Sequence, residues 1–349
     1  MKTGVALLNF GEPSEPDREL VVEYLTRIFL NNADLEEYED EKAARERSRQ
    51  LAERRAPGLV EEYEEIGGSP LNPQSRAQAE ALEAVLSERG YDTEMYVGFQ
   101  FMEPLIEDIA ESAREDGIDR LVGLPVYPLC GPSTTVAALD DLEAAVEAAD
   151  GWDPEFHGVS GWHRHPQYTR LRVDAIRNYV DEHGLDLDNE DTVLVFSAHG
   201  TPQHYVEEGS RYVDYVEEWC ETVAAMLGVE EYTLGYQNHE NRDIPWTEPD
   251  VEDVIETLDA ERVVVDPVSF AHEQSETLAE LDEDLRRDAE AAGLDFYRVP
   301  VPHDDPRLAE ALSDLVEPFL AGFEPSYSQL RQCECRPDEN TLCLNAPRK

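Results

Sequence analysis

Short apolar runs alternate along the chain with longer stretches in which apolar residues return every three or four positions. The runs at 5–9, 93–98, 120–125, 192–197, 232–236 and 262–267 are rich in β-branched residues, and several close on Gly, Pro or Ser. They predict strands buried on both faces. The stretches 74–89, 105–116, 134–149, 170–182 and 212–227 predict amphipathic helices, with Leu139, Leu142 and Val146 as one apolar stripe. Such alternation implies βαβ units, hence an α/β fold with mostly parallel sheets flanked by helices. The pattern runs twice. Residues 1–150 predict one α/β half and 151–305 a second, with Gly151-Trp152-Asp153-Pro154 as the crossover. A terminal helix over 306–322, with no strand after it, is expected to pack back on the first domain, and 323–349 forms a tail. Segment 35–65 has sparse apolar positions and predicts an exposed helical excursion. Two α/β halves place a ligand cleft between them, at the carboxyl ends of the strands.

Charge changes the picture next. The 349 residues carry 28 basic and 79 acidic side chains, a net charge of −51, and the only lysines are Lys2, Lys42 and Lys349. The acids are interleaved with apolar residues, as in Leu142-Glu143-Ala144-Ala145-Val146-Glu147, which describes a solvated acidic shell rather than an acidic tail. Such a surface repels itself until salt screens it. A halophilic cytoplasmic protein is therefore expected, with neither nucleic acid nor anionic membrane as a partner. No run resembles a signal peptide or reaches membrane-span length.

Two segments carry candidate chemistry. In Val193-Leu194-Val195-Phe196-Ser197-Ala198-His199-Gly200-Thr201-Pro202 a buried strand delivers a histidine at its carboxyl end, where open α/β sheets place ligands. Histidine there serves as a base near neutral pH or as a metal ligand; the bland alternative is a histidine that ties down a turn. In Val268-Ser269-Phe270-Ala271-His272-Glu273-Gln274-Ser275-Glu276-Thr277-Leu278 a second strand exit leads into a helix. Acids are common at helix starts, so Glu273 or Glu276 alone says little. A neutral histidine facing a carboxylate across a cleft, however, can accept protons and pass them outward, or hold a divalent cation.

These residues complete a resemblance. Leu7-Leu8-Asn9-Phe10-Gly11-Glu12-Pro13, Gly67-Gly68-Ser69-Pro70-Leu71, Ser197-Ala198-His199-Gly200, Gly209-Ser210-Arg211-Tyr212, Tyr236-Gln237-Asn238 and Glu276-Thr277-Leu278 occur in the order and spacing of ferrochelatases. The resemblance spans nearly the whole chain. It implies two Rossmann-like domains around a porphyrin cleft and insertion of iron(II), as substrate, into protoporphyrin IX or coproporphyrin III in haem synthesis. His199 matches the family's catalytic histidine and Glu276 its partner carboxylate. Phe10 matches a ring-contacting position, with core packing as the equal alternative, and Tyr127 and Trp246 are further candidates for the cleft wall. Many members have a histidine where this chain has Gln274. His272 or Glu273 is therefore expected to substitute in handling iron. The runner-up readings are a sirohydrochlorin cobalt or nickel chelatase and a non-catalytic porphyrin or haem carrier. Porphyrin and iron(II) are the expected partners, for a monomer or homodimer.

The five cysteines are unevenly placed. Cys333, Cys335 and Cys343 fall within eleven residues after the last helix, a spacing suited to zinc or an iron–sulfur cluster. Several ferrochelatases carry a [2Fe–2S] cluster on such a tail, completed by an internal cysteine. Cys130 is the candidate fourth ligand here, and Cys220, within a helical pattern, reads as a buried thiol. A disordered tail with incidental thiols is the alternative.

Overall fold

β1 (Thr3–Asn9) is buried over all seven residues, as its unbroken apolar run predicts for a strand covered on both faces. It is an interior strand of the first sheet, paired on both sides. The computed structural model describes residues 1–31, 39–238, 244–322, 335–336 and 340–345. After β1 come α1 (Arg18–Asn31), α2 (Glu41–Ile66) and α3 (Leu71–Glu88), before β2 (Thr93–Phe99) pairs in parallel on one side of β1. α4 (Ile106–Glu115) leads to β3 (Arg120–Pro125), parallel on the other side. A π-helical turn at Pro132–Val136 opens into α5 (Ala137–Ala148), and β4 (Glu155–Val159) adds outside β3.

The second sheet repeats this topology. α6 (Pro166–Glu182) leads to the central strand β5 (Thr192–His199). α7 (Gln203–Glu207) and α8 (Tyr212–Leu227) precede β6 (Thr233–Gln237) on one side, and α9 (Val251–Thr257) precedes β7 (Arg262–Pro267) on the other. A π-helix at Glu276–Leu285, continued by α10 (Arg286–Ala291), leads to β8 (Asp295–Arg298) outside β7. The strand orders are β2-β1-β3-β4 and β6-β5-β7-β8. The helices show their expected stripes: Ile106, Ile109, Ala110 and Ala113 are the buried face of α4.

Three features depart from the sequence reading. Gly151–Pro154 does not begin the second half: it leads into β4, which pairs with β3 and extends the first sheet. β4 was invisible because Glu155-Phe156-His157-Gly158-Val159 mixes polar and apolar residues, and its first residue is exposed. Next, α11 (Pro306–Leu320) packs against α3 and α6 and touches β3 and β4, but a strand does follow it: β9 (Thr341–Leu342) pairs with β4. Finally, the supposed exposed excursion contains α2, which lies along α1 and buries Leu51, Ala52, Ala56, Leu59 and Tyr63. Its apolar stripe is diluted by alanine and so is weak on paper.

One buried ion pair ties the second sheet to the cleft. Arg172 of α6 and Asp266 of β7 are both fully buried and meet at 2.9 Å. The same guanidinium donates to the carbonyls of Pro267 (2.6 Å) and Phe270 (3.3 Å), which fixes the loop leaving β7.

Candidate active site

β1 and β3 exit on one side of a cavity, β5 and β7 on the other. In each sheet these are the adjacent strands between which the chain order reverses, the position where open α/β sheets bind ligands. The cavity is about 770 Å³ including its open mouth. The first half supplies Asn9, Phe10, Glu12, Tyr127 and the loop from Leu129 to Thr134. The second supplies His199, Tyr212, Ser269 to His272, Gln274 and Glu276.

His199 and Glu276 meet there, with His199 Nε2 3.1 Å from Glu276 Oε1. The backbone behind the histidine is fixed by two hydroxyls. Ser269 Oγ accepts from His199 N (2.7 Å), and Tyr212 donates to the His199 carbonyl (2.9 Å). His199 Nδ1 lies against the Gly200 carbonyl. A carbonyl only accepts, so the tautomer that satisfies this contact carries its proton on Nδ1 and leaves Nε2 facing the Glu276 carboxylate. Gln274 Nε2 donates to the other oxygen, Glu276 Oε2 (2.5 Å). Gln237 accepts from Ser197 Oγ (2.8 Å) and donates to the Glu276 carbonyl (2.9 Å) and to Glu280 Oε2 (3.1 Å). Glu280 borders a second, acidic cavity with Asp250, Glu252 and Asp284.

The remaining candidates divide. Phe10 lines the cavity and also packs edge-on against Phe101 (4.6 Å between centroids) and Tyr24 (6.3 Å). Tyr127 lines the cavity with its hydroxyl donating to Gln100 Oε1 (2.9 Å); burial, and then the charge of Glu276, push its phenol well above the usual range. Trp246 is not among the described lining residues; it pairs with Pro202 beyond the His199 strand. His272 reaches the cavity, but its Nε2 is 2.7 Å from Gln78 Oε1 and its Nδ1 faces Asn9 Nδ2 at 3.4 Å. Both nitrogens are engaged, and burial lowers its pKa to about 3, so it stays neutral. Glu273 turns away, to Arg298 Nη1 (2.7 Å) and Val301 N (2.8 Å).

The family model described as Ferrochelatase matches residues 2–319. The chain belongs to the ferrochelatase family. It is 34% identical to the ferrochelatase of Picosynechococcus over 97% of this chain and 87% of that protein. Against the ferrochelatase of Aquifex aeolicus the identity is 31%, over 91% and 99%. Among solved structures it resembles CbiX, the terminal enzyme of sirohaem biosynthesis in denitrifying bacteria, with a TM-score of 0.51 at 15% identity, over 92% of this chain and all of that one. It also resembles the cobalt complex of the sirohydrochlorin chelatase SirB from Bacillus subtilis, with a TM-score of 0.52 at 11% identity, over 93% and 97%. At those identities the likeness is one of fold: α/β, with two parallel sheets flanked by helices.

Beyond the matched residues, the tail is docked rather than loose wherever it is described. Ser160 N donates to the Leu342 carbonyl (2.8 Å) and Leu344 N to that of Gly161 (2.9 Å); Arg336 is buried against Asp140 and Glu143. Cys343 and Cys130 are fully buried on either side of Gly161. Cys343 Sγ lies 3.8 Å from the Gly161 carbonyl, and a Cβ at Gly161 would stand 3.0 Å from that of Cys130. Cys335 packs on Cys343 and lies 3.8 Å from the Tyr215 hydroxyl. Cys333 lies outside the described residues. Among the described residues no three His, Cys, Asp or Glu side chains are grouped to hold a metal ion. Cys220 is buried in α8, where burial raises its thiol pKa well above normal.

Sequence reasoning missed Glu12. It is 3% exposed and accepts from Ser275 Oγ (2.5 Å), Ser275 N (3.1 Å) and Ser69 Oγ. Burial raises its pKa, against the pull of these hydrogen bonds. The signal available was position: an acid three residues past the end of a doubly buried strand stands at the ligand end of the sheet.

Proposed function

We propose that this chain inserts iron(II) into a porphyrin in haem synthesis, with His199 taking pyrrole protons and Glu276 passing them on. The observation that carries the reading is the His199–Glu276 contact at 3.1 Å in a cavity where both sheets switch direction. Metallation breaks two pyrrole N–H bonds, forms bonds from iron to nitrogen, and releases two protons. His199 Nε2 accepts a proton from the ring and hands it to the Glu276 carboxylate 3.1 Å away, which restores the lone pair for the second proton. Gln237 braces the π-helix behind the pair, donating to the Glu276 backbone carbonyl and to Glu280. Iron(II) suits imidazole and carboxylate donors held loosely enough to let go of the metal. Phe10 and Tyr127 form the opposing wall, and their contacts supply the remote binding energy that offsets ring distortion.

An iron–sulfur centre near Gly161 is a further part of this reading, although among the described residues no three His, Cys, Asp or Glu side chains are grouped there. Cys130 and Cys343 share one buried backbone step, Cys335 packs beside them, and the tail is pinned by β9 and Arg336. Cys130, Cys333, Cys335 and Cys343 would then hold a [2Fe–2S] cluster. Bound there, the cluster supplies a redox-active group to a reaction that needs no electron. The net charge of −51 makes folding and activity depend on salt.

The test is anaerobic metallation by purified protein in molar and in dilute potassium chloride, with iron(II) and either protoporphyrin IX, coproporphyrin III or sirohydrochlorin. Absorbance is recorded before any addition. Loss of one porphyrin's free-base spectrum, abolished by His199→Ala, is the expected result and names the substrate. Turnover of sirohydrochlorin alone, or porphyrin binding without metallation, overturns the reading. Visible charge-transfer bands in the purified protein, lost on Cys343→Ser, are expected for the cluster; bound zinc without colour refutes it.

A further inference from the structure

The segment bearing Glu276 is held from the opposite half of the molecule. Gln78 Nε2 donates to the Ala271 carbonyl (3.2 Å), Gln74 Oε1 accepts from Glu273 N (2.9 Å), and Glu12 takes both the backbone and the hydroxyl donors of Ser275. Ser275 directly precedes Glu276, at the start of the π-helix. Of these holding groups Glu12 is the charged one, and both its carboxylate oxygens are engaged. Its backbone is fixed as well: Glu12 N donates to Asn72 Oδ1 (3.0 Å) and Asn72 Nδ2 donates to the Glu12 carbonyl (2.8 Å). The turn at Gly67-Gly68-Ser69, which brings in its serine partner, is itself tightly placed, because a Cβ on Gly68 would stand 2.0 Å from the Ser14 carbonyl oxygen.

A buried carboxylate with no basic side chain among its hydrogen-bond partners is costly, and three donors on two oxygens offset that cost only in this one geometry. Moving Ser275 by an ångström breaks two of the three. From this geometry we infer that Glu12 is a positioning residue: it locks Ser275 from across the cleft and so fixes the Glu276 carboxylate at contact distance from His199. The inference rests on the proposed role of Glu276. It also gives a reason for a carboxylate at the floor of a cavity whose chemistry already has one: Glu12 acts on the first turn of the neighbouring helix and leaves the ring to His199 and Glu276.

The experiment measures steady-state metallation and porphyrin binding, the latter by fluorescence quenching, for Glu12→Ala, Glu12→Gln, Ser275→Ala, Glu12→Ala/Ser275→Ala and Glu276→Gln. Misplacing a reacting group by an ångström costs on the order of 10- to 100-fold in rate. Glu12→Ala is expected to lower kcat by that factor while the porphyrin Kd changes less than about twofold. Glu12→Gln keeps one acceptor oxygen and is expected to fall between it and the parent. Ser275→Ala is expected to lose part of the rate, and the double variant no more than Glu12→Ala, because the two side chains act through one contact. Unchanged kcat in Glu12→Ala, a matching loss of porphyrin affinity, or multiplicative losses in the double variant overturns the inference. If Glu12→Ala does not fold, as judged by circular dichroism, Glu12→Gln and Ser275→Ala decide it by the same kcat-against-Kd split. Full activity in Glu276→Gln would instead sink the proposed role of Glu276, a result separate from any seen with Glu12.

Discussion

The two walls of the cavity are built from the same topology and differ in chemistry. β1 and β3 deliver Asn9, Phe10 and Tyr127, which pack, hydrogen-bond and present flat surfaces; β5 and β7 deliver the ionisable pair His199 and Glu276. A repeated βαβ scaffold therefore sets where ligands bind but not what each half does there. The division lies in residues at the strand exits, and the wall that carries the His199–Glu276 pair is also the wall with the buried ion pair behind it.

This contrast can be broken by experiment. On the reactive wall, His199→Ala should lower kcat by on the order of 10² to 10⁴, the range for losing a positioned base, and leave porphyrin affinity near the parent's. Equal losses in kcat and affinity would erase the distinction between walls. The support behind that wall comes next: Arg172→Met leaves Asp266 buried without its cation and should cost about 3–5 kcal/mol in denaturant unfolding. Replacing both partners with apolar residues should recover much of that. On the opposite wall, Phe10→Ala should raise KM by more than it lowers kcat, since it removes a face that binds the ring in ground and transition state alike.

The smallest effect is on pH dependence. Burial lowers the pKa of both His163 and His272 to about 3, from an ordinary value near 6.5. The folded state resists the proton that the unfolded state accepts, so these groups stabilise fully above about pH 6.5, and that stability is lost as pH falls toward 3. Glu12 and Asp266, whose pKa values burial raises, work in the opposite direction. A paired comparison cancels them. His163 sits among Tyr215 and Trp219, and no described side chain or backbone group hydrogen-bonds its ring nitrogens. His163→Phe should therefore fold at least as well at pH 7 and lose less stability than the parent between pH 6.5 and 4. A variant whose unfolding midpoint tracks the parent's across that range would refute this.

Much of this was legible in the sequence where the signal is local. The central strands read as buried because their runs are apolar on both faces; His199 stood out by its place at a strand exit, and Glu276 only through the family resemblance. What failed was what depends on distant partners. The hydrogen bond that holds His272 Nε2 comes from Gln78, 194 residues away, and has no local signal. Glu12 looks like a surface acid in a Gly-Glu-Pro turn until Ser69 and Ser275 close over it. β4 and β8 are short edge-side strands of mixed polarity, which periodicity does not separate from loop.

The return of the chain end to the first sheet sets an order on assembly. α11 covers α3, and β9 closes the outer edge of β4, yet both emerge only after the whole second half has been synthesised. During translation the first half waits with an open strand edge and an uncovered helix face, so it cannot finish as an independent unit. Deleting residues 306–349 should accordingly strand a nascent species whose β4 edge invites pairing with other chains, rather than yield a slightly shortened protein.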